Sequence, residues 1–194
     1  MRKPQIVIEH LEPRLSDWLL AEYSHAAEIL DGNLLITNVK LKSERRKLSK
    51  FCRAVKESVA EVFDSRRLLV LDPQAEKSLS GKDFSGMDGV VIGGILGDDP
   101  PLGRTKKLLT DRLPGCRKRN IGESQFSIDG SVFVVREIMG GRKLRDIPVV
   151  CEVEIPIEKG CSIILPFAYP LVDGKPLISW KLLEYLKKRG TEFY

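Results

Sequence analysis

Two histidines, His10 and His25, are all this chain has, and its four cysteines (Cys52, Cys116, Cys151, Cys161) show no CxxC or Cys/His ligand spacing. A zinc site or a His-rich metal centre is therefore not expected, and the thiols read as reduced and structural in a cytosolic protein. Apolar runs stay short of the roughly 18 residues that a membrane span requires. The opening Met1-Arg2-Lys3-Pro4 runs straight into a strand pattern and lacks a signal-peptide layout, so a cytoplasmic location is expected. Internal repeats and low-complexity segments are absent. So is the GxGxxG fingerprint that would put a dinucleotide pyrophosphate on a helix N-terminus.

What is present describes a globular chain. Its 194 residues are 42% hydrophobic and 30% charged, which suits a single domain over residues 1–194. The net charge of +5 permits contact with nucleic acid or with an RNA-bound partner. The positive charge is clustered. Arg104, Lys106, Lys107, Arg112, Arg117, Lys118 and Arg119 face only Asp111 in their window, and a second basic cluster runs from Lys40 to Lys56. A solvated basic surface explains such runs equally well.

Strand patterns at Gln5–Glu9, Leu34–Val39, Leu68–Leu71, Met87–Gly93, Arg117–Ile121 and Val149–Ile155 alternate with helical patterns. The helices are read from Ser16 to Leu30, from Ser43 through Phe63, over Thr105–Arg112, over Gln125–Met139 and over Leu177–Arg189. Ser162–Leu171 reads as a further strand. Such alternation predicts an α/β fold, a mostly parallel sheet with helices on both faces. Ligands of such sheets bind beyond the carboxyl ends of the strands. Here those ends are Glu9-His10-Leu11-Glu12, Leu71-Asp72-Pro73, Gly93 to Asp98 and Ile121-Gly122-Glu123, all polar or glycine-rich after apolar strands.

The most telling end is Gly93-Gly94-Ile95-Leu96-Gly97-Asp98-Asp99-Pro100-Pro101. Its glycines allow a ligand to touch the backbone. Two carboxylates repel a pyrophosphate, and proline donates no N–H to one. The loop suits a ligand with a cationic part, such as the sulfonium and ammonium of S-adenosylmethionine. An ordinary strand-to-helix turn with an Asp cap is the plainer alternative.

Several blocks, in order, resemble one branch of the SPOUT methyltransferases, first described as predicted RNA methyltransferases. They are Ile8-Glu9-His10-Leu11-Glu12, Ser16-Asp17-Trp18, Glu22-Tyr23-Ser24, Leu71-Asp72-Pro73, Gly93 to Asp98 with Pro100-Pro101 and Arg104-Thr105, and Gly122 with Gln125 and Asp129. Pro166-Phe167-Ala168-Tyr169 and Gly174-Lys175-Pro176 complete the set. The branch includes a eukaryotic protein-arginine methyltransferase acting on a small-subunit ribosomal protein. The resemblance implies a deep trefoil knot in the C-terminal half, with S-adenosylmethionine held by Gly93, Gly94, Ile95, Leu96, Gly97 and Asp98, by Ile121, Gly122, Gln125 and Phe126, and by the wall Leu71-Asp72-Pro73. Two positions depart from the family pattern: Asp99 stands where it has His, and Ala168 where it has Arg.

If the acceptor is an arginine, its guanidinium is protonated and its lone pair delocalised. Carboxylates can fix its plane and take the released proton. Glu9, Glu12 and Asp98 are the expected catalytic acids. Asp99, Arg104, Glu123, Asp129 and Tyr169 are candidate substrate contacts. Solvated strand ends or helix caps would account for the same acids. His10 reads as structural and Trp18 and Tyr23 as core. The expected substrate is an arginine of a ribosomal protein, with ribosomal or transfer RNA as the alternative and a ribosome-assembly factor of little turnover as a third reading. Whether the chain is a monomer or a dimer through knot helices stays open.

Overall fold

The computed structural model describes residues 3–98, 100, 102–158 and 161–191. Six strands form one parallel sheet in the order β3-β2-β1-β5-β4-β6. They are β1 (Gln5–His10), β2 (Leu34–Thr37), β3 (Arg53–Ala54), β4 (Leu68–Leu71), β5 (Gly89–Gly94) and β6 (Arg117–Arg119). Side chains alternate across a strand, and both faces are covered. Ile6, Ile8, Leu34, Ile36, Leu69, Leu71, Val90 and Ile92 pack under α1 (Asp17–Ile29) and α5 (Ile128–Met139). Val7, Leu35, Leu68, Val70 and Val91 face the other way, toward Val59, Leu109 and Leu113.

Helix α1 starts at Ser16, whose hydroxyl accepts from Leu19 N at 3.2 Å. It ends where Gly32, at φ 79°, donates its N–H to Ala27 O at 2.8 Å. The long helix expected from Ser43 through Phe63 does not form. In its place stand α2 (Lys42–Leu48), the edge strand β3 and the short α3 (Val59–Val62). The reason is packing: Leu48, Phe51, Cys52 and Ala54 sit on one face of the sheet, while Val55, Val59 and Phe63 sit on the other. A single straight helix presents one stripe and cannot serve both. Ser58 and Glu61 form a capping box that restarts the chain as α3. The expected helix over Thr105–Arg112 divides into α4 (Arg104–Leu108) and a 3₁₀ turn at Thr110–Arg112.

The C-terminal strands do not join the parallel sheet. β7 (Val149–Glu158) and β8 (Cys161–Val172) pair antiparallel, and β9 (Lys175–Pro176) adds to β8. Only two residues separate β7 from β8, enough for a hairpin and far too few for a parallel crossover. This sheet and α6 (Trp180–Thr191) enclose Ile155, Leu165, Tyr169, Leu182 and Leu186, and Ala21 of α1 closes that core. α5 begins at Ile128, three residues later than the sequence pattern suggests, because Gln125 and Phe126 are extended against β8: Ala168 N donates to Gln125 O at 2.8 Å. The two segments assigned to the knot by resemblance meet where Gln125 Nε2 donates to Asp98 O at 3.2 Å.

Candidate active site

The main cavity opens beyond the carboxyl ends of β4, β5 and β6, the edge that parallel sheets offer to ligands. Leu71, Ile92, Ile95, Leu96, Ile121 and Phe126 supply apolar walls, and Asp72, Pro73, Gly93, Gly97, Asp98, Gly122, Glu123 and Gln125 line the rest. The sequence pointed to all of these except Ile92. It passed over Gln74, Asn120, Ser124 and Ser131, which also line the cavity. Gln74, Asn120 and Ser124 lie in polar loops and Ser131 is buried on α5, and none carries a motif of its own.

The loop after β5 is held from behind by Arg104. Its Nε donates to Asp98 Oδ2 at 2.7 Å, its Nη1 to Glu12 Oε1 at 3.0 Å, and its Nη2 to the Leu96 carbonyl. Glu12 Oε1 also accepts from Leu96 N at 2.9 Å. Glu12, expected as a catalytic acid, is not among the cavity-lining residues and anchors the loop instead. Arg104 lines the cavity, yet its guanidinium is engaged by two carboxylates and a carbonyl, so it is a structural clamp and not a free substrate contact.

Gly97 shows how closely the loop is packed. A Cβ there would lie 2.3 Å from both Gln125 Nε2 and Phe167 Cε1. Gly94 has a different role: its missing Cβ leaves room for Tyr23 Oη, 2.2 Å from where a Cβ would sit, and it does not line the cavity. Asp72 is 3% exposed, and its carboxylate accepts from Thr110 Oγ1 at 2.8 Å and Gln74 N at 2.9 Å. It shapes the wall after β4 as an Asx turn.

Other expected site residues are elsewhere. Glu9 is buried, with its carboxylate accepting from the Thr37 hydroxyl and from Val59 N at 2.9 Å. Burial pushes its carboxyl up from the usual range, and those two donors pull it back. It secures the start of α3 and does not line the cavity. Asp129 is buried and bonded to His25 Nδ1 at 2.6 Å. Tyr169 is fully buried, so it cannot stack on a substrate, and its hydroxyl has no partner among the described residues. Asp99 lies outside the described residues. His10 is structural as read: its Nδ1 is 3.0 Å from Tyr23 Oη, and burial lowers its pKa. Ala168 is buried, paired with Cys151 of β7 and bridged to Phe126.

A second, smaller cavity adjoins the first through the shared walls Ile95, Leu96, Gly97, Phe126 and Ile128. Trp18, Glu22, Ser127 and Phe167 complete it. Glu22 is 2% exposed and accepts from Trp18 Nε1 at 2.7 Å and from Ile128 N at 3.0 Å. Burial, reinforced by the nearby Asp129 charge, pushes its carboxyl up to about 8. The sequence signal was the block Glu22-Tyr23-Ser24, four residues after Trp18, which the resemblance marks without a site role.

The donor set fits a nucleoside with a cationic tail. Apolar walls and extended backbone suit a base and ribose, while Asp98 and Glu123 suit an ammonium. Lys106 is the one lining cation not engaged in an ion pair among the described residues, so a pyrophosphate would meet little charge to hold it.

A parallel sheet with a glycine loop and an acid-lined cavity at its carboxyl edge agrees with the SPOUT methyltransferase class that the sequence blocks resemble. The family is more specific. The model of the protein arginine N-methyltransferase SFM1-like family matches residues 5–192, and the chain belongs to that family. It is 30% identical over 203 residues to protein arginine N-methyltransferase SFM1 of Saccharomyces cerevisiae, covering 96% of this chain and 95% of that one. It is similar to the crystal structure of yeast arginine methyltransferase SFM1 complexed with SAM (S-adenosylmethionine), with a TM-score of 0.88 at 28% identity over 98% of this chain and 93% of that one. The crystal structure of a dual specific Trm10 from Thermococcus kodakaraensis shares the fold, with a TM-score of 0.58 at 20% identity over 73% of this chain and 95% of that one. Family membership implies a protein substrate.

Proposed function

We propose that this chain, acting as one domain over residues 1–194, binds S-adenosylmethionine in the main cavity and methylates an arginine of a ribosomal protein in the cytoplasm. The observation that carries this reading is the acid-rimmed cavity whose one arginine among the described residues, Arg104, is already neutralised by Glu12 and Asp98. Such a site favours cationic groups on both donor and acceptor. S-adenosylmethionine, when bound, supplies an electrophilic methyl group next to a positively charged sulfur. The chain's part is to orient that donor against an acceptor nitrogen and exclude water.

The basic run that motivated an RNA substrate is partly committed to the fold. Arg104 clamps the loop, Arg117 Nη1 donates to Asp83 O at 2.5 Å, and Arg119 pairs with Asp83 Oδ1 at 2.6 Å. Lys106, Lys107, Arg112 and Lys118 remain exposed for contact with RNA near a ribosomal substrate.

The test is transfer of tritiated methyl from S-adenosylmethionine to ribosomes, followed by protease or RNase. Label lost to protease and kept after RNase is the expected result, with monomethylarginine seen by mass spectrometry. Label lost only to RNase overturns the arginine reading in favour of RNA.

A further inference from the structure

Resting on the arginine reading above, we infer that the acceptor guanidinium enters the second cavity, where Glu22 is the catalytic carboxylate that pairs with it and receives its proton. The site is built for a planar cation. Trp18 and Phe167 give aromatic surface, and guanidinium groups stack on such faces. Glu22 lines the same cavity, which shares Ile95, Leu96, Gly97, Phe126 and Ile128 with the main one.

The carboxylate is pre-oriented. Each oxygen holds one fixed donor, Trp18 Nε1 on Oε1 at 2.7 Å and Ile128 N on Oε2 at 3.0 Å. Each oxygen therefore keeps a second lone pair for an N–H of the incoming group. One donor shares α1 with Glu22, while the other opens α5, 106 residues further along the chain, and together they lock the plane of the carboxyl. Once ionised, a buried acid with no cation facing it among the described residues is costly, and a cationic ligand relieves that cost. The titratable groups nearby are Asp129 with its partner His25 on α5 and α1, Tyr23 on α1 and Tyr169 on β8. The Asp129 charge raises Glu22, and none of these groups neutralises it.

The chemistry balances. A guanidinium nitrogen forms the new N–C bond as the methyl–sulfur bond of the donor breaks, and the sulfonium becomes a neutral thioether. The nitrogen gives up one proton to the Glu22 carboxylate, so the methylated guanidinium keeps its single positive charge. With a pKa pushed up to about 8, Glu22 is a stronger base than an exposed carboxylate and still releases the proton near neutral pH.

Three measurements decide the matter. Glu22→Gln is expected to lower kcat for protein-arginine methylation about 100-fold, with affinity for S-adenosylmethionine within about threefold of wild type. Trp18→Phe keeps the aromatic wall but removes a hydrogen bond that holds the Glu22 pKa down, so the rising limb of its kcat–pH profile should move to higher pH. Carbon-13 NMR of the Glu22 carboxyl should show its midpoint falling when ethylguanidinium is added, a readout independent of turnover. Wild-type label found in RNA overturns the arginine reading, and the guanidinium slot with it. Wild-type label on protein arginine, with Glu22→Gln turning over within about threefold of wild type or with a Glu22 midpoint unmoved by ethylguanidinium, overturns the Glu22 assignment alone.

Discussion

Arg104 and Glu12 stand 92 residues apart in sequence and 3.0 Å apart in the structure. Together with Asp98 they tie the loop after β5 to the segment after β1, and both segments leave the same edge of the sheet. The clamp is about a third exposed, so its charge-assisted bonds are worth less than buried ones. Arg104→Ala should therefore weaken the site by about 1–2 kcal/mol. Titration calorimetry should show S-adenosylmethionine affinity reduced about 5- to 30-fold. Unchanged affinity would mean that the loop holds its shape without the clamp.

The two glycines of this loop differ in what they protect. Gly94→Ala drives a methyl toward Tyr23 Oη, the Glu9 carbonyl and Ile8 Cγ2. Since the Glu9 carbonyl is main chain, relief is difficult, and a loss of about 1–3 kcal/mol in unfolding free energy is expected. Gly97→Ala meets the side chains of Gln125 and Phe167 instead. Those can yield by moving into the two cavities. Denaturant unfolding should show a smaller loss for Gly97→Ala than for Gly94→Ala, with the larger drop in S-adenosylmethionine affinity.

Glu9 distinguishes a structural acid from a catalytic one. Glu9→Ala leaves the buried Val59 N–H without its acceptor, while the Thr37 hydroxyl keeps the Ile8 carbonyl at 3.3 Å. The expected destabilisation is about 1–3 kcal/mol. Turnover per folded molecule should stay at the wild-type level. A kcat that falls while the unfolding curve stays in place would return Glu9 to the catalytic set.

Glu22 also predicts how stability depends on pH. Its carboxyl is raised from 4.5 to about 8 in the fold. Between those values the folded state holds a proton that the unfolded state has lost, so stability falls as pH rises. The contribution is fully present below about 4.5 and lost as pH passes through about 8. Glu22→Gln cannot ionise. The Tm of wild type minus that of Glu22→Gln should therefore fall steadily from about pH 5 to about pH 8. A constant difference over that range would show that Glu22 is not raised.

Local pattern alone was enough for β1, α1, β4 and β5, because the three strands are buried on both faces and read as short apolar runs, while α1 buries one stripe at helical spacing. It also marked the loop from Gly93 to Asp98, where glycine spacing and acids leave a signature in the residues themselves. Residues 43–63 do not form the single helix that their spacing suggests, because their apolar groups serve opposite faces of the sheet, and spacing along the chain does not say which face a residue will meet. The antiparallel pairing of β7 with β8 depends on strand partners, which individual strand patterns do not name.

The site divides in the same way. The sequence by itself determined that acids and glycines gather at the strand ends, since residue identity carries charge and backbone freedom. Only tertiary structure decided what each acid does. Glu9 meets Thr37, Glu12 meets Arg104, and Glu22 meets Trp18 and Ile128. Desolvation and hydrogen-bond partners set the role of a carboxylate, and both arise from segments brought together by the sheet and the α1–α5 packing.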